Sequence, residues 1–275
     1  MARAWLSWEV LARIGYTARG VVFLLIGALS VLAACGSGQP VPDGKDALRT
    51  VLGQPFGRFL LMVITIGLLC FAAWRLSQAI LDADHQGNGV AALARRVVQG
   101  AAGIFYIGFA GVAASIAIGW DDGGNSDNLA RGWTAWLLAK PYGQWLMGAI
   151  GFGFVVSAVA ITGYRAEFSR RLELDKVKRG VVTALGRFGF VARAVVYATI
   201  GCFLVFAALH SHSSEAKGFG GALRFLQQQP YGSVLLGITA LGLLAFGVYG
   251  IAEGASRRID TPPKPARRSK MRLAF

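Results

Sequence analysis

The chain has 275 residues, 55% of them hydrophobic and 15% charged, with a mean hydropathy of +0.51 and a net charge of +14. A soluble globular domain carries about 25% charged residues, so this composition excludes an ordinary soluble fold and points to a polytopic membrane protein. The basic residues stand mostly between and after apolar runs, where positive charge sets orientation, so nucleic acid is not an expected partner.

Residues 1–12, with Trp5 and Trp8, read as an interfacial lead-in with indoles at headgroup level. A first spanning helix is predicted over about 11–34, with Arg13 at its start and Arg19 inside it. Leu32-Ala33-Ala34-Cys35 has the form of a lipoprotein processing site. The stretch Arg13 to Gly27 recurs at Arg187 to Gly201, however, deep in the chain where no cleavable signal can stand, so helix one is read as retained. The piece Asp46 to Leu52 has helical apolar spacing but is too short to span, and is expected along the membrane surface. Gly53 ends it, and Pro55 is expected to open a second span over about 55–81, at the first helical position where a missing N–H costs least.

The same order then repeats. Spans are predicted over about 97–119 and 141–164, with a short outer piece from Trp133 to Leu138, and again over about 188–209 and 230–253, with an outer piece from Gly221 to Leu226. Gln54-Pro55-Phe56-Gly57, Lys140-Pro141-Tyr142-Gly143 and Gln229-Pro230-Tyr231-Gly232 mark the joint of each copy. Three matched joints mean three copies of one unit: residues 1–82, 83–168 and 169–256, followed by a basic tail at 257–275, expected to be disordered. The fold class is therefore an all-α membrane protein of six transmembrane helices, in three parallel two-helix repeats with pseudo-threefold symmetry. Of the 28 Lys and Arg residues, 21 fall on or toward the side of the termini and 7 on the other, which places both termini in the cytoplasm.

Aligned on the joints, Gly67, Gly153 and Gly242 coincide at mid-helix, where a missing side chain lets membrane helices pack closely. Gly20, Gly103 and Ala194 coincide, as do Gly27, Ala110 and Gly201. The paired stretches Arg13 to Phe23 and Arg187 to Tyr197, together with the proline–aromatic–glycine joint, resemble the family known as domain of unknown function 1206. That resemblance covers nearly the whole chain. It implies a six-helix bacterial inner-membrane protein of three tandem two-helix units, and it implies no activity. The middle copy departs from it, with Ala102 where Arg19 and Arg193 stand.

Arg19 and Arg193 are the leading candidates for function, since an ionisable residue inside a span is costly. They can snorkel to the cytoplasmic interface, join an ion pair in the bundle, or hold an anionic lipid headgroup or other ligand between helices. Arg75, Gln78, Gln99 and Glu253 are the possible neighbours at that level. Glu253 follows Pro230 at the offset by which Gln78 follows Pro55. Pro55, Gly57, Pro141, Gly143, Pro230 and Gly232 are expected to act as a folding joint. His210 and His212 with Glu215 do not complete a metal site, and Cys35, Cys70 and Cys202 form no motif. No nucleotide fingerprint or catalytic set is present, so neither an enzyme nor a cofactor is expected. The expected function is a non-enzymatic membrane protein acting through helix–helix or lipid contacts, as an accessory subunit of a larger complex. The alternative is a small channel or transporter with a path along the pseudo-threefold axis.

Overall fold

A computed structural model describes residues 2–36, 41–81, 89–121, 123–124, 126–163 and 176–256. The tail at 257–275, the connector at 164–175 and His85 lie outside the described residues. Those described form nine α-helices and one short 3-10 turn, Ser213–Glu215. The helices are α1 (Ala2–Ala34), α2 (Gly44–Leu52), α3 (Gly57–Leu81), α4 (Val90–Ile118), α5 (Ser126–Leu138), α6 (Gly143–Gly163), α7 (Lys176–His210), α8 (Phe219–Gln227) and α9 (Gly232–Ser256). Five of them, α1, α3, α4, α7 and α9, are long and apolar enough to cross a membrane, and α6 carries a shorter apolar stretch, Gly143–Val159.

Three helices start earlier than the apolar runs. α1 begins at Ala2 instead of residue 11, α4 at Val90 instead of 97, and α7 at Lys176 instead of 188. Hydropathy ends where polar residues begin, but Lys, Arg, Glu, Ala and Leu are good helix formers and continue the hydrogen-bond ladder beyond the apolar segment. At its other end α4 stops on Gly119, whose φ of 84° supplies the left-handed C-cap.

The joints are turns, and the prolines stand outside the helices. Pro55, Pro141 and Pro230 precede aromatic residues held in the left-handed region: Phe56 at φ 60°, Tyr142 at 64° and Tyr231 at 62°. The Gly57 N–H donates to the Gln54 carbonyl and the Gly143 N–H to the Lys140 carbonyl, both at 2.9 Å, which closes a proline-led turn with positive φ at its third residue. The expected helix start at proline is thus displaced to Gly57, Gly143 and Gly232. Glycine is required there because a Cβ would overlap the carbonyl oxygens of Leu52, Leu137 and Gln227, at the end of the preceding outer helix. A left-handed non-glycine residue costs about 1–3 kcal/mol, and here all three are aromatic and 83–86% exposed.

Packing follows the order α4, α3, α1, α9, α7, α6. The most extensive contacts join the second helix of one unit to the first helix of another: α9 with α1, α3 with α4, and α6 with α7. Glycines set all three. A Cβ on Gly20 would stand 2.8 Å from the Gly247 carbonyl oxygen, one on Gly103 2.8 Å from Leu76, and one on Gly201 2.7 Å from the Gly151 carbonyl oxygen. Within units, α1 packs on α3 and α7 on α9, whereas α4 and α6 have no comparable contact. Gly67 and Gly242 sit at the two closed interfaces, where an added Cβ would overlap the Cβ of Ala18 and of Ala192. Gly153 departs from the expected close packing: it is exposed and a Cβ there meets nothing within 4 Å, because α4 and α6 stand apart.

The outer helices interlock instead of lying separately on the surface. Asp43 caps α2 in a capping box with Asp46, accepting from the Lys45 and Asp46 N–H groups at 2.7 and 2.8 Å. Ala47, Leu48 and Val51 turn inward, and Gly220 of α8 lies so close to Asp43 that a Cβ would come within 2.5 Å of it. The Arg224 guanidinium reaches Asp127 of α5 and the Val41 carbonyl.

Candidate functional site

Two polar assemblies lie at opposite ends of the bundle. At the end away from the N-terminus, Arg49 of α2 makes a two-pronged contact with Asp121, from Nε to Oδ2 at 2.6 Å and from Nη2 to Oδ1 at 3.0 Å, and also donates to the Gly124 carbonyl at 2.8 Å. Lys45, almost fully buried, adds an ion pair with Asp121 at 3.0 Å. Arg224 of α8 pairs with Asp127, which also accepts from the Gly218 and Gly221 N–H groups at 2.9 and 3.2 Å. Arg49 and Arg224 occupy the same place in their units, six residues before the joint proline, where the middle unit has Ala135. The middle unit supplies both aspartates, so the cap is held by charge exchanged between units.

The Arg49 hydrogen bond, assisted by Lys45, holds the Asp121 carboxyl well below its ordinary range, and the same bond raises Arg49. A carboxylate with a depressed folded-state pKa stabilises fully above its unfolded value, about 3.9, and loses that contribution as pH falls toward the folded value. Hydrogen exchange of residues 44–52, corrected for intrinsic rate, should therefore be protected equally from about pH 8 to 5 and lose protection below about pH 4. Asp121→Asn should lose that protection across the whole range. Equal protection in Asp121→Asn and the wild type at pH 7 would show that this contact does not hold the cap.

The second assembly lies toward the opposite helix ends. Arg13 donates to the Gly254 and Ala255 carbonyls at the end of α9, and Arg96 to the Ala79 and Ile80 carbonyls, at 2.7 and 3.0 Å, at the end of α3. Arg13 and Arg96 are repeat equivalents, so each closes the C-terminus of the neighbouring unit's second helix, where a cation is favoured. In the sequence they register only as orientation charges. The signal for a cap was their fixed place, six residues before Arg19 and Ala102.

Six residues further in, about 9 Å along the helix, Arg19 is 3% exposed and Glu253 4% exposed. Arg19 Nη2 donates to Glu253 Oε2 at 3.0 Å. The Arg19 guanidinium also faces the rings of Tyr16, Phe71 and Phe246, with centroids at 5.2, 4.9 and 5.0 Å, and the Trp74 indole N–H donates to Tyr16 Oη at 3.2 Å. The Arg19 Nε is buried and makes no hydrogen bond to any described residue. Arg75 donates to Gln78 Oε1 at 3.0 Å and lies 5.0 Å from the Phe71 ring. Arg19, Arg75 and Glu253 are thus gathered on three neighbouring helices.

Arg193 completes the group in a different way. Its Nε donates to Tyr197 Oη at 2.9 Å, and its guanidinium faces Tyr197, Phe246 and Phe23 at 4.7, 4.9 and 5.5 Å. No carboxylate among the described residues lies in ion-pair range of it. Tyr106 of α4 stands within electrostatic reach of Arg193, Arg19 and Arg75. The result is an aromatic cage holding three guanidinium groups and one carboxylate, with residues from α1, α3, α4, α7 and α9. Among the described residues no group of three or more His, Cys, Asp or Glu could hold a metal. His210 instead meets Glu215 at 3.1 Å.

Long apolar helices in repeated units, with charges inside the bundle, define a multi-pass helical membrane protein. The chain belongs to the DUF1206 family, whose model, a domain of unknown function, matches three times, over residues 14–82, 98–163 and 188–257. The chain is also similar to the uncharacterised protein YxxB of Bacillus subtilis strain 168, at 38% identity over 247 residues and 88% of each chain. No solved structure matches.

Proposed function

We propose that the chain is a non-enzymatic inner-membrane protein that holds an anionic lipid headgroup at Arg193, in the manner of an accessory subunit. The observation that carries this is the difference between the two equivalent arginines. Arg19 contacts a carboxylate, Glu253, directly, whereas Arg193 contacts only rings and a tyrosine hydroxyl and feels Glu253 from a greater distance. Glu253 is engaged by Arg19 and reaches Arg193 only at longer range, so three guanidinium groups share one carboxylate; excess charge in an apolar bundle is expensive, and an incoming phosphate would neutralise it. The Arg19 Nε, buried without a hydrogen bond to any described residue, adds an unsatisfied donor in the same cage. Arg193 lies six residues inside Arg187, about 9 Å, within snorkelling reach of the headgroup level.

In this reading the bundle has six spans, with α6 crossing as the sixth, and both termini lie in the cytoplasm, supported by the 21-to-7 distribution of basic residues. The equivalence of the α9/α1, α3/α4 and α6/α7 pairs supports the pseudo-threefold arrangement. A conduction path along the axis has less support, because Phe23, Phe71 and Phe246 converge around the arginines at that level.

Native mass spectrometry of the full chain, taken from vesicles of equal phosphatidylglycerol and phosphatidylcholine, tests the reading. The wild type should retain phosphatidylglycerol selectively. Arg193→Gln should reduce that retention about ten- to hundredfold, the worth of charge-assisted hydrogen bonds of about 1.5–3 kcal/mol. Equal retention of the two lipids by the wild type would overturn it.

A further inference from the structure

The two outer units are closed by a matched pair of contacts that the middle unit lacks. Gly15 lies against the Phe71 backbone and Gly189 against the Phe246 backbone, so close that a Cβ on either would come within 2.6 Å of the phenylalanine Cα. The corresponding residues of the middle unit are Val98 and Ser157. A branched side chain at Val98 forbids the approach that glycine permits, and Ser157 removes the ring that would fill the contact. Ala102 stands at the arginine position of the same level. Val98 thus bars the approach that glycine permits, Ser157 and Ala102 remove contacts that would reward it, and α4 and α6 make no extensive contact. Val98, Ala101, Phe105 and Gly153 are all exposed.

The inner end of this seam is not apolar. Phe154 of α6 packs edge-on to Tyr197 at 5.5 Å, and Tyr197 accepts from Arg193. Tyr106, on the α4 side, lies within electrostatic reach of Arg193. The uncovered apolar faces of α4 and α6 thus lead toward a guanidinium group that has no carboxylate in ion-pair range, Glu253 acting on it only from further away. That combination matches one occupant, a molecule with an acyl chain and an anionic head.

We propose that the α4/α6 seam is the lateral entry for a phospholipid, whose chain lies beside Gly153 while its phosphate meets Arg193. This rests on the headgroup reading above and adds the route and the side of the bundle. A transmembrane helix of another protein seated in the seam would bring an apolar surface but no counter-charge for Arg193, and is the competing outcome.

The test uses the full chain in nanodiscs of equal phosphatidylglycerol and phosphatidylcholine. Gly153→Trp fills open space on α6, and Ala101→Trp does the same from α4, so a folding failure in one leaves the other to report. Melting by size-exclusion chromatography identifies the folded variants. Each is expected to lose phosphatidylglycerol retention by tenfold or more, as Arg193→Gln does, while Gly153→Ala keeps it. A photoreactive residue at position 153 is expected to cross-link to lipid. If the wild type retains anionic lipid and Arg193→Gln loses it, but both tryptophan variants keep it, the seam is not the entry and only this inference fails. Cross-linking from position 153 to a second protein in native membranes also overturns it. If the wild type retains no anionic lipid at all, the headgroup reading itself fails.

Discussion

Glu253→Leu is expected to destabilise the folded protein by about 3–5 kcal/mol, the usual consequence of breaking a buried ion pair from one side. The Arg19 guanidinium, 3% exposed, would lose its carboxylate. It cannot escape by losing its proton, because arginine stays charged in proteins. Three rings around it supply cation–π attraction, each worth about 0.5–2 kcal/mol, which softens the loss without replacing the counter-charge. The double variant Arg19→Met with Glu253→Leu should recover most of the stability, since an apolar pair of similar volume is often as stable as the ions it replaces. Reversible unfolding in mixed micelles, read as a double-mutant cycle, measures the coupling directly. A Glu253→Leu change within about 0.5 kcal/mol of wild type, the range of an uninvolved surface position, would show that the pair does not hold α1 to α9.

The second large effect separates the three mid-helix glycines. Gly242→Leu and Gly67→Leu should each destabilise by about 1–3 kcal/mol or more through overpacking, because the first added carbon already overlaps Ala192 or Ala18. These contacts are helix against helix, so relief requires moving a whole span. Gly153→Leu should be neutral or slightly stabilising: its Cβ has open space, and Leu is a better helix former than Gly, which lies about 0.8–1 kcal/mol below Ala. The same unfolding assay ranks the three. A Gly153→Leu loss equal to that of Gly242→Leu would mean that α4 and α6 close on one another as the other units do.

Much of this was legible in the chain, for identifiable reasons. Repetition exposed the joints, because Pro55, Pro141 and Pro230 can be superposed without any structure. The same superposition marked Glu253 as a possible partner at the level of Arg19. It could not choose Glu253 over Gln99, since that choice depends on α9, not α4, lying beside α1. Helix neighbours across unit boundaries leave no trace in hydrophobic periodicity. For the same reason Arg13 and Arg96 were readable as charges but not as caps on α9 and α3. The left-handed Phe56, Tyr142 and Tyr231 were hidden because aromatic residues do not advertise positive φ as glycine does. The open middle unit is the instructive case. Its glycine, Gly153, matches the pattern, and the difference lies at Val98 and Ser157, two ordinary membrane-helix residues whose meaning emerges only against Gly15 and Phe71 in a packed unit.

The outer cap and the inner cage share one logic. In both, the first and third units supply arginine where the middle unit has alanine: Arg49 and Arg224 against Ala135, Arg19 and Arg193 against Ala102. In the cap the middle unit returns aspartates, so the charges are balanced within the protein. In the cage Glu253 answers Arg19, and on the middle unit's side α4 and α6 make no comparable contact. Three copies of one unit have thus become unequal, with two closed and one open.

The most direct test of that asymmetry is a density map of the protein, enlarged by a bound antibody fragment, in nanodiscs of equal phosphatidylglycerol and phosphatidylcholine. The expected map shows α4 and α6 apart, an acyl chain between them beside Gly153, and headgroup density on Arg193. A map with Gly153 packed on Ala101 and nothing against Arg193 would contradict it.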